Sequence, residues 1–117
     1  MKRFFIIIIF IFLFIIPIIT GATDITALKS KLNYLTSLPE ISWIKFNGNI
    51  VVIGFNRYPK DLRTIMRAAA LHGNRVYGFG IHLWAVDAKY KNWNVWKDPY
   101  ICTTTARHGE IEENTCK

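Results

Sequence analysis

Residues 41–55 read ISWIKFNGNIVVIGF, and this stretch decides the fold that the sequence predicts. Two runs rich in β-branched and aromatic residues flank an Asn-Gly pair, which is typical of two strands joined by a tight turn. Asn-Gly favours a type I′ turn because both central residues of that turn take a positive φ. We therefore predict a β-hairpin in which Asn47 and Gly48 are central and Ile44 lies opposite Val51.

Side chains alternate between the two faces of such a hairpin. One predicted face carries Ile44, Phe46, Val51, Ile53 and Phe55. The other predicted face carries Trp43, Lys45, Ile50 and Val52. Because neither face is wholly polar, we expect other parts of the chain to cover both of them.

A helix is predicted on each side of the hairpin. The apolar stripe of the first helix consists of Ile25, Leu28, Leu32 and Leu35. Their helical spacing indicates one buried face, and Pro39 ends the helix. After the hairpin, Pro59 suits the first turn of a second helix, and the pair Gly73-Asn74 is typical of its end.

Residues 75–86 are almost entirely apolar and predict a third strand. The second helix carries the chain back, so this strand runs parallel to the second strand. Placed beside the first strand, it completes a three-stranded antiparallel sheet of order 2-1-3 with both helices on one face. The sequence thus predicts a small α+β domain over residues 23–101.

The chain contains two cysteines, Cys102 and Cys116. Their spacing fits no common metal or redox motif, so one structural disulfide is the simplest interpretation. Such a bridge stabilises by about 3 kcal/mol in the chain-entropy model. We expect residues 102–117 to form an irregular, disulfide-closed tail that the bridge orders without being needed for the core.

The first 22 residues are typical of an export signal. Lys2 and Arg3 precede an apolar stretch of sixteen residues, 4–19, which is shorter than the roughly 20 residues of a spanning helix. The small residues Thr20 and Ala22 predict cleavage after position 22, which places the domain in the periplasm or outside the cell. The alternative is a membrane anchor formed by residues 4–23.

The net charge of the chain is +7, and it remains +5 without Lys2 and Arg3, with thirteen basic and eight acidic residues. A basic exported domain favours anionic partners such as a membrane surface, an anionic envelope polymer or a nucleic acid. No motif supports nucleic-acid binding in particular, and the charge alone is also explained by solubility. No motif predicts a cofactor or a metal.

The candidate catalytic residues are His82, His108 and Asp87. The two histidines are a possible acid–base pair for RNA cleavage, and Asp87 is an alternative partner of His82 in a hydrolase. Each of these residues also has an ordinary structural interpretation, because nothing in their spacing requires a common site. A small secreted hydrolase or nuclease is therefore the alternative function.

The segment 89–100 alternates aromatic residues with lysines and amides. The candidate ligand-binding residues are Lys91, Trp93, Trp96 and Lys97. Aromatic rings stack on sugars or bases, and lysines attract negative charge. The alternative is that the tryptophans cover an exposed sheet face. The leading hypothesis is a non-catalytic exported protein that binds an anionic or glycan envelope component, or a protein partner.

Cleavage of the leader is directly testable. We expect the mature protein to begin at Thr23, because the apolar core is short and small residues follow it. Mass spectrometry of the expressed product measures its N-terminus. An intact Met1 in a protein that only detergent releases would show the anchor instead.

Overall fold

Two α-helices and five strands make up the part of the chain that this computed structural model describes, residues 25–117. In chain order they are α1 (Ile25–Leu32), a 3-10 helix (Asn33–Ser37), β1 (Ile41–Asn47), β2 (Ile50–Phe55), α2 (Leu62–Tyr77), β3 (Ile81–Asp87), β4 (Cys102–Arg107) and β5 (Glu110–Asn114). The α+β class is confirmed. The predicted export signal of residues 1–22, and the alternative anchor, lie outside the described residues.

The hairpin is confirmed, but its turn lies one residue later than predicted. Ile44 pairs with Ile53 and Asn47 with Ile50, so Gly48 and Asn49 are the central residues. Gly48 has a φ of 59°, as a glycine at the first position of a type II′ turn does. The pairing differs from the predicted one by two residues, so every side chain keeps its predicted face.

Helix α2 continues beyond its predicted end. It runs to Tyr77 and ends at Gly78, which takes the left-handed conformation with a φ of 85°. Gly73 lies inside α2 and does not end it. Its lack of a side chain allows close packing, because a Cβ there would lie 2.5 Å from Cδ1 of Ile81 and 3.0 Å from Cδ1 of Leu28. The prediction of a strand starting at residue 75 is therefore wrong, since the last turn of α2 occupies those residues.

The predicted strand order 2-1-3 is also wrong. The sheet is mixed, with five strands in the order β1-β2-β3-β4-β5. Strand β3 pairs in parallel with β2, as predicted for its direction, but it lies beside β2 and not beside β1. Its other neighbour is β4, which pairs with it in the antiparallel sense. A central position between two strands explains why β3 is so apolar, and β1 is left at one edge.

The prediction of an irregular tail is wrong as well. Residues after 101 form the antiparallel hairpin β4–β5, which extends the sheet beyond β3. The predicted disulfide between Cys102 and Cys116 is confirmed. Both cysteines are buried, and Thr104 and Ala106 of β4 are fully buried beside them. The bridge therefore lies in the hydrophobic core and not in a separate segment.

Both helices lie on one face of the sheet, as predicted. α2 packs against β3, β4 and β5, while the 3-10 helix contacts β1. The fully buried side chains of this core include Leu28, Leu32, Leu35, Val51, Ile53, Met66, Ile81 and Leu83. The predicted stripe of the first helix and the predicted inner face of the hairpin therefore meet in one core.

Because the bridge is in the core, we expect its loss to destabilise the whole domain. Replacing Cys102 and Cys116 together by Ser should lower the free energy of unfolding by about 2–5 kcal/mol. Thermal unfolding followed by circular dichroism measures this, with the exposed Glu112→Ala in the same hairpin as the control. An unchanged melting temperature, with new protease cleavage only between residues 103 and 115, would contradict this expectation.

Candidate functional site

The face of the sheet opposite the helices, here called the open face, carries His82, and the loop that holds the candidate ligand-binding residues packs on it. Strand register aligns its side chains in two rows across the sheet. The first row is Lys45, Val52, Trp84 and Thr103. The second row is Asn47, Ile50, His82 and Thr105. Several of these side chains are apolar although no helix covers them, so this face needs another cover.

The loop of residues 88–100, here called the aromatic loop, crosses the open face. At its start, the indole N–H of Trp43 donates to the carbonyl of Ala88 over 2.9 Å. Further on, the ammonium of Lys45 donates to the carbonyl of Lys91. Both donors lie on β1, whereas the loop starts at the end of β3 and returns to β4. The loop therefore passes over β2 and back.

Trp84 is the point where the aromatic loop packs on the sheet. The ring centroid of Trp93 lies 5.2 Å from that of Trp84, and Tyr100 meets Trp84 edge-on at 4.8 Å. The indole N–H of Trp93 donates to the carbonyl of Pro99 over 2.9 Å. Trp93 is half-buried by these contacts. It covers the sheet, which is the structural alternative considered for this segment.

Trp96 has the opposite environment, because its side chain is 91% exposed. The backbone that presents it is held by hydrogen bonds. The side chain of Asn94 accepts the N–H of Trp96 over 2.8 Å, and the carboxylate of Asp98 accepts the N–H of Asn94 over 2.9 Å. Such side-chain to backbone bonds fix a turn. Trp96 is thus displayed to solvent by an ordered segment.

A groove of about 520 Å³ lies between the aromatic loop and the β1–β2 hairpin. Its apolar floor consists of Ile50, Val52 and Trp84, and Trp93 and Trp96 line the loop side. The polar groups of its lining belong to Lys45, Asn47 and Asn94. Aromatic surface with a few amide and ammonium groups suits a ligand that combines flat rings, hydroxyls and negative charge.

The two candidate lysines lie on the aromatic loop and are exposed. Lys97 is held by its backbone N–H, which donates to the carbonyl of Asn94 over 3.1 Å. All four candidate ligand-binding residues lie on the aromatic loop. Trp93 and Trp96 line the groove, whereas Lys91 and Lys97 are not part of its lining. The sequence predicts that Trp84 shares a strand face with His82, but not that it lies under the aromatic loop, because that contact depends on how the loop returns. Lys45 was assigned to the correct face of the hairpin but not to a site.

Each of the three candidate catalytic residues has a different environment in the structure. Nδ1 of His82 is 3.0 Å from the hydroxyl of Thr105. The carboxylate of Asp87 accepts the backbone N–H of Lys89 over 2.9 Å. His108 is exposed in the β4–β5 turn with a φ of 55°. Among residues 25–117, no hydrogen bond of the structure joins two of these three residues.

Two sets of contacts hold polar side chains on the helical side. The hydroxyl of Tyr34 is 3.2 Å from Nδ1 of His72, and partial burial raises the pKa of Tyr34. The guanidinium of Arg63 on α2 donates to the carbonyl of Cys116 over 2.9 Å, which ties the helix to the end of the chain. In the described part of the chain, no cluster of three His, Cys, Asp or Glu side chains is placed to hold a metal ion.

Comparison with protein-family models, curated proteins and solved structures finds no match for this chain. Within residues 25–117, no helix has the length and apolar character needed to cross a bilayer. The assignment of a function therefore depends on the geometry of the open face.

The two tryptophans of the aromatic loop form a matched pair for a stability test. Trp93→Ala removes the cover of Trp84 and should lower the free energy of unfolding by about 2 kcal/mol or more. Trp96→Ala removes an exposed ring and should change it by less than about 0.5 kcal/mol. Chemical denaturation followed by circular dichroism measures both. Equal losses for the two variants would show that Trp96 is part of the cover.

Proposed function

We propose that the protein is an exported, non-catalytic binding domain whose groove takes an acidic polysaccharide of the cell envelope. The observation that carries this proposal is the exposed ring of Trp96, which a hydrogen-bonded turn holds beside the groove. A large aromatic side chain that lies outside the core contributes little to the stability of the fold. Its area is available for contact with a ligand.

The shape of the groove supports a chain of sugar rings as the ligand. Trp93 and Trp96 present aromatic surface on one side, and β1 presents the amide of Asn47 and the ammonium of Lys45 on the other. Sugar rings offer apolar faces for stacking and hydroxyl groups for the amides. A bilayer surface is broad and flat, whereas this site is a hollow of about 520 Å³.

Charge supports an acidic ligand. Lys45, Lys91 and Lys97 lie on or next to the aromatic loop, and the nearby carboxylate of Asp98 is engaged by the N–H of Asn94. Ammonium groups at a partly apolar surface favour carboxylate or phosphate groups, and this attraction weakens as salt rises. The disulfide is typical of proteins that fold in an oxidising compartment, which supports export to the envelope.

The non-catalytic interpretation also has support. The alternative, a hydrolase or nuclease, requires His82 to act with His108 or Asp87. The described hydrogen bond of the His82 imidazole goes to Thr105, and Asp87 is occupied by the backbone of its own loop. A binding function therefore accounts for more of the residues on the open face than a catalytic function does.

Polygalacturonate is a suitable probe for this proposal. We expect it to bind at low ionic strength, and Trp96→Ala to weaken binding about tenfold, as the loss of a stacked ring does. Isothermal titration calorimetry measures both affinities. The control is Tyr58→Ala, which removes a ring that is 67% exposed and lines a different hollow.

Three outcomes would contradict the proposal. The first is the absence of polygalacturonate binding, with retention on phosphatidylglycerol vesicles or oligodeoxythymidylate instead. The second is equal weakening by Trp96→Ala and Tyr58→Ala, which would show that binding follows surface aromatic content and not the groove. The third is cleavage of the polysaccharide in a manner that depends on His82, which would show an enzyme.

A further inference from the structure

We infer that the binding site continues past His82 to a second hollow at Arg107, so that the domain takes an extended acidic chain and not a single sugar unit. The second hollow has a volume of about 500 Å³ and includes Gly80, Arg107 and Phe79 in its lining. This inference rests on the proposed function, because it extends the same surface and the same class of ligand.

The linings of the two hollows share no residue, but the strand register places polar residues of the sheet between them. Ile50 of the groove floor is directly paired with His82, and His82 is paired with Thr105 on its other side. Gly80 precedes His82 by two residues, and Arg107 follows Thr105 by two residues. Because side chains alternate along a strand, Ile50, His82, Thr105 and Arg107 share the open face. Gly80 precedes β3, and the direction of its missing Cβ leads to the side chain of Arg107. A ligand leaving the groove over Ile50 therefore meets His82 next and Arg107 after it.

Arg107 is placed over Gly80 because that residue has no side chain. A Cβ at Gly80 would lie 2.8 Å from Nε of Arg107 and 3.3 Å from one of its terminal nitrogens. The side chain of Arg107 is 47% exposed, and its ion pair with Glu112 spans 3.7 Å at an exposed site. Such a pair is weak, so the guanidinium remains able to bind a carboxylate of a ligand through two parallel hydrogen bonds.

The groove and the second hollow resemble each other chemically. At one end the exposed ring of Trp96 lies in the same groove as the ammonium of Lys45. At the other end Phe79, which is 55% exposed, lies in the same hollow as Arg107. Each end thus offers an aromatic face together with a cation, which complements a repeating unit that has a ring and a negative charge. Arg107 differs from Lys45 in having carboxylates nearby, since Glu112 is its ion-pair partner and Glu110 its cross-strand partner.

The distance between the two ends requires a chain. Three strand spacings, about 14 Å, separate Lys45 on β1 from β4, and Arg107 lies four residues, about 13 Å, beyond Thr103, the β4 position in register with Lys45. Between them the face presents the imidazole of His82 and the hydroxyl of Thr105, which are 3.0 Å apart and are both polar groups able to meet sugar hydroxyls. A ligand that contacts Trp96 and Arg107 together must therefore span several units.

Dependence of affinity on chain length tests this inference. We expect wild-type protein to bind a long oligogalacturonate at least about tenfold more tightly than digalacturonate, because only the long chain reaches both cations. Arg107→Gln should remove most of that gain and leave the affinity for digalacturonate unchanged. The matched control is Arg57→Gln, since Arg57 forms a similar exposed pair with Glu40 at 3.8 Å. Calorimetry measures the affinities, and circular dichroism verifies that the variants are folded.

The outcomes separate this inference from the proposed function. If the long and short chains bind wild-type protein equally, or if Arg107→Gln keeps the full gain, the extended site is wrong while the groove remains. Phe79→Ala provides a second variant, which should also reduce the gain. If neither chain binds wild-type protein, the proposed function itself fails and the inference fails with it.

Discussion

Helices cover only one face of a sheet that has apolar side chains on both faces. The other face therefore needs a cover from elsewhere in the chain. The crossover through α2 makes β3 the parallel neighbour of β2 and places both helices on the same side. The opposite side then exposes Ile50, Val52 and Trp84. Burying such surface is worth roughly 25 cal/mol per Å², so an additional cover stabilises the fold.

The aromatic loop provides that cover, and it does so incompletely. A loop must satisfy its own backbone groups, which here bind the side chains of Asn94 and Asp98. Its turn brings Trp93 down onto Trp84 but leaves Trp96 outside. The same irregular segment thus completes the hydrophobic packing and leaves an aromatic groove open. The aromatic loop thus contributes both the structural cover of the sheet and the proposed binding surface.

The features that the sequence predicts best are those set by the alternation of side chains along a strand or by the spacing of apolar residues in a helix. The faces of the hairpin were correct even though its turn was shifted, since a shift of two residues preserves them. The predicted end of α2 was wrong because Gly73 is a glycine for packing reasons, and one of the residues that crowd it, Leu28 of α1, is distant in the sequence. Strands β4 and β5 were missed because threonines and glutamates dominate them, and their pairing is visible only in the sheet. Likewise the sequence singles out Trp93 and Trp96 of the loop, whereas the packing of Trp93 on Trp84 is visible only in the structure.

Titration of ¹⁵N-labelled protein with oligogalacturonate, followed by NMR chemical shifts, locates the bound ligand directly. If the ligand binds the open face, the largest changes should occur at the indole N–H of Trp96 and at the amides of Ile50, His82 and Arg107, while the exposed basic residues of α2, such as Arg67, remain unchanged. Changes concentrated on α2, with an unperturbed Trp96, would contradict binding at the open face.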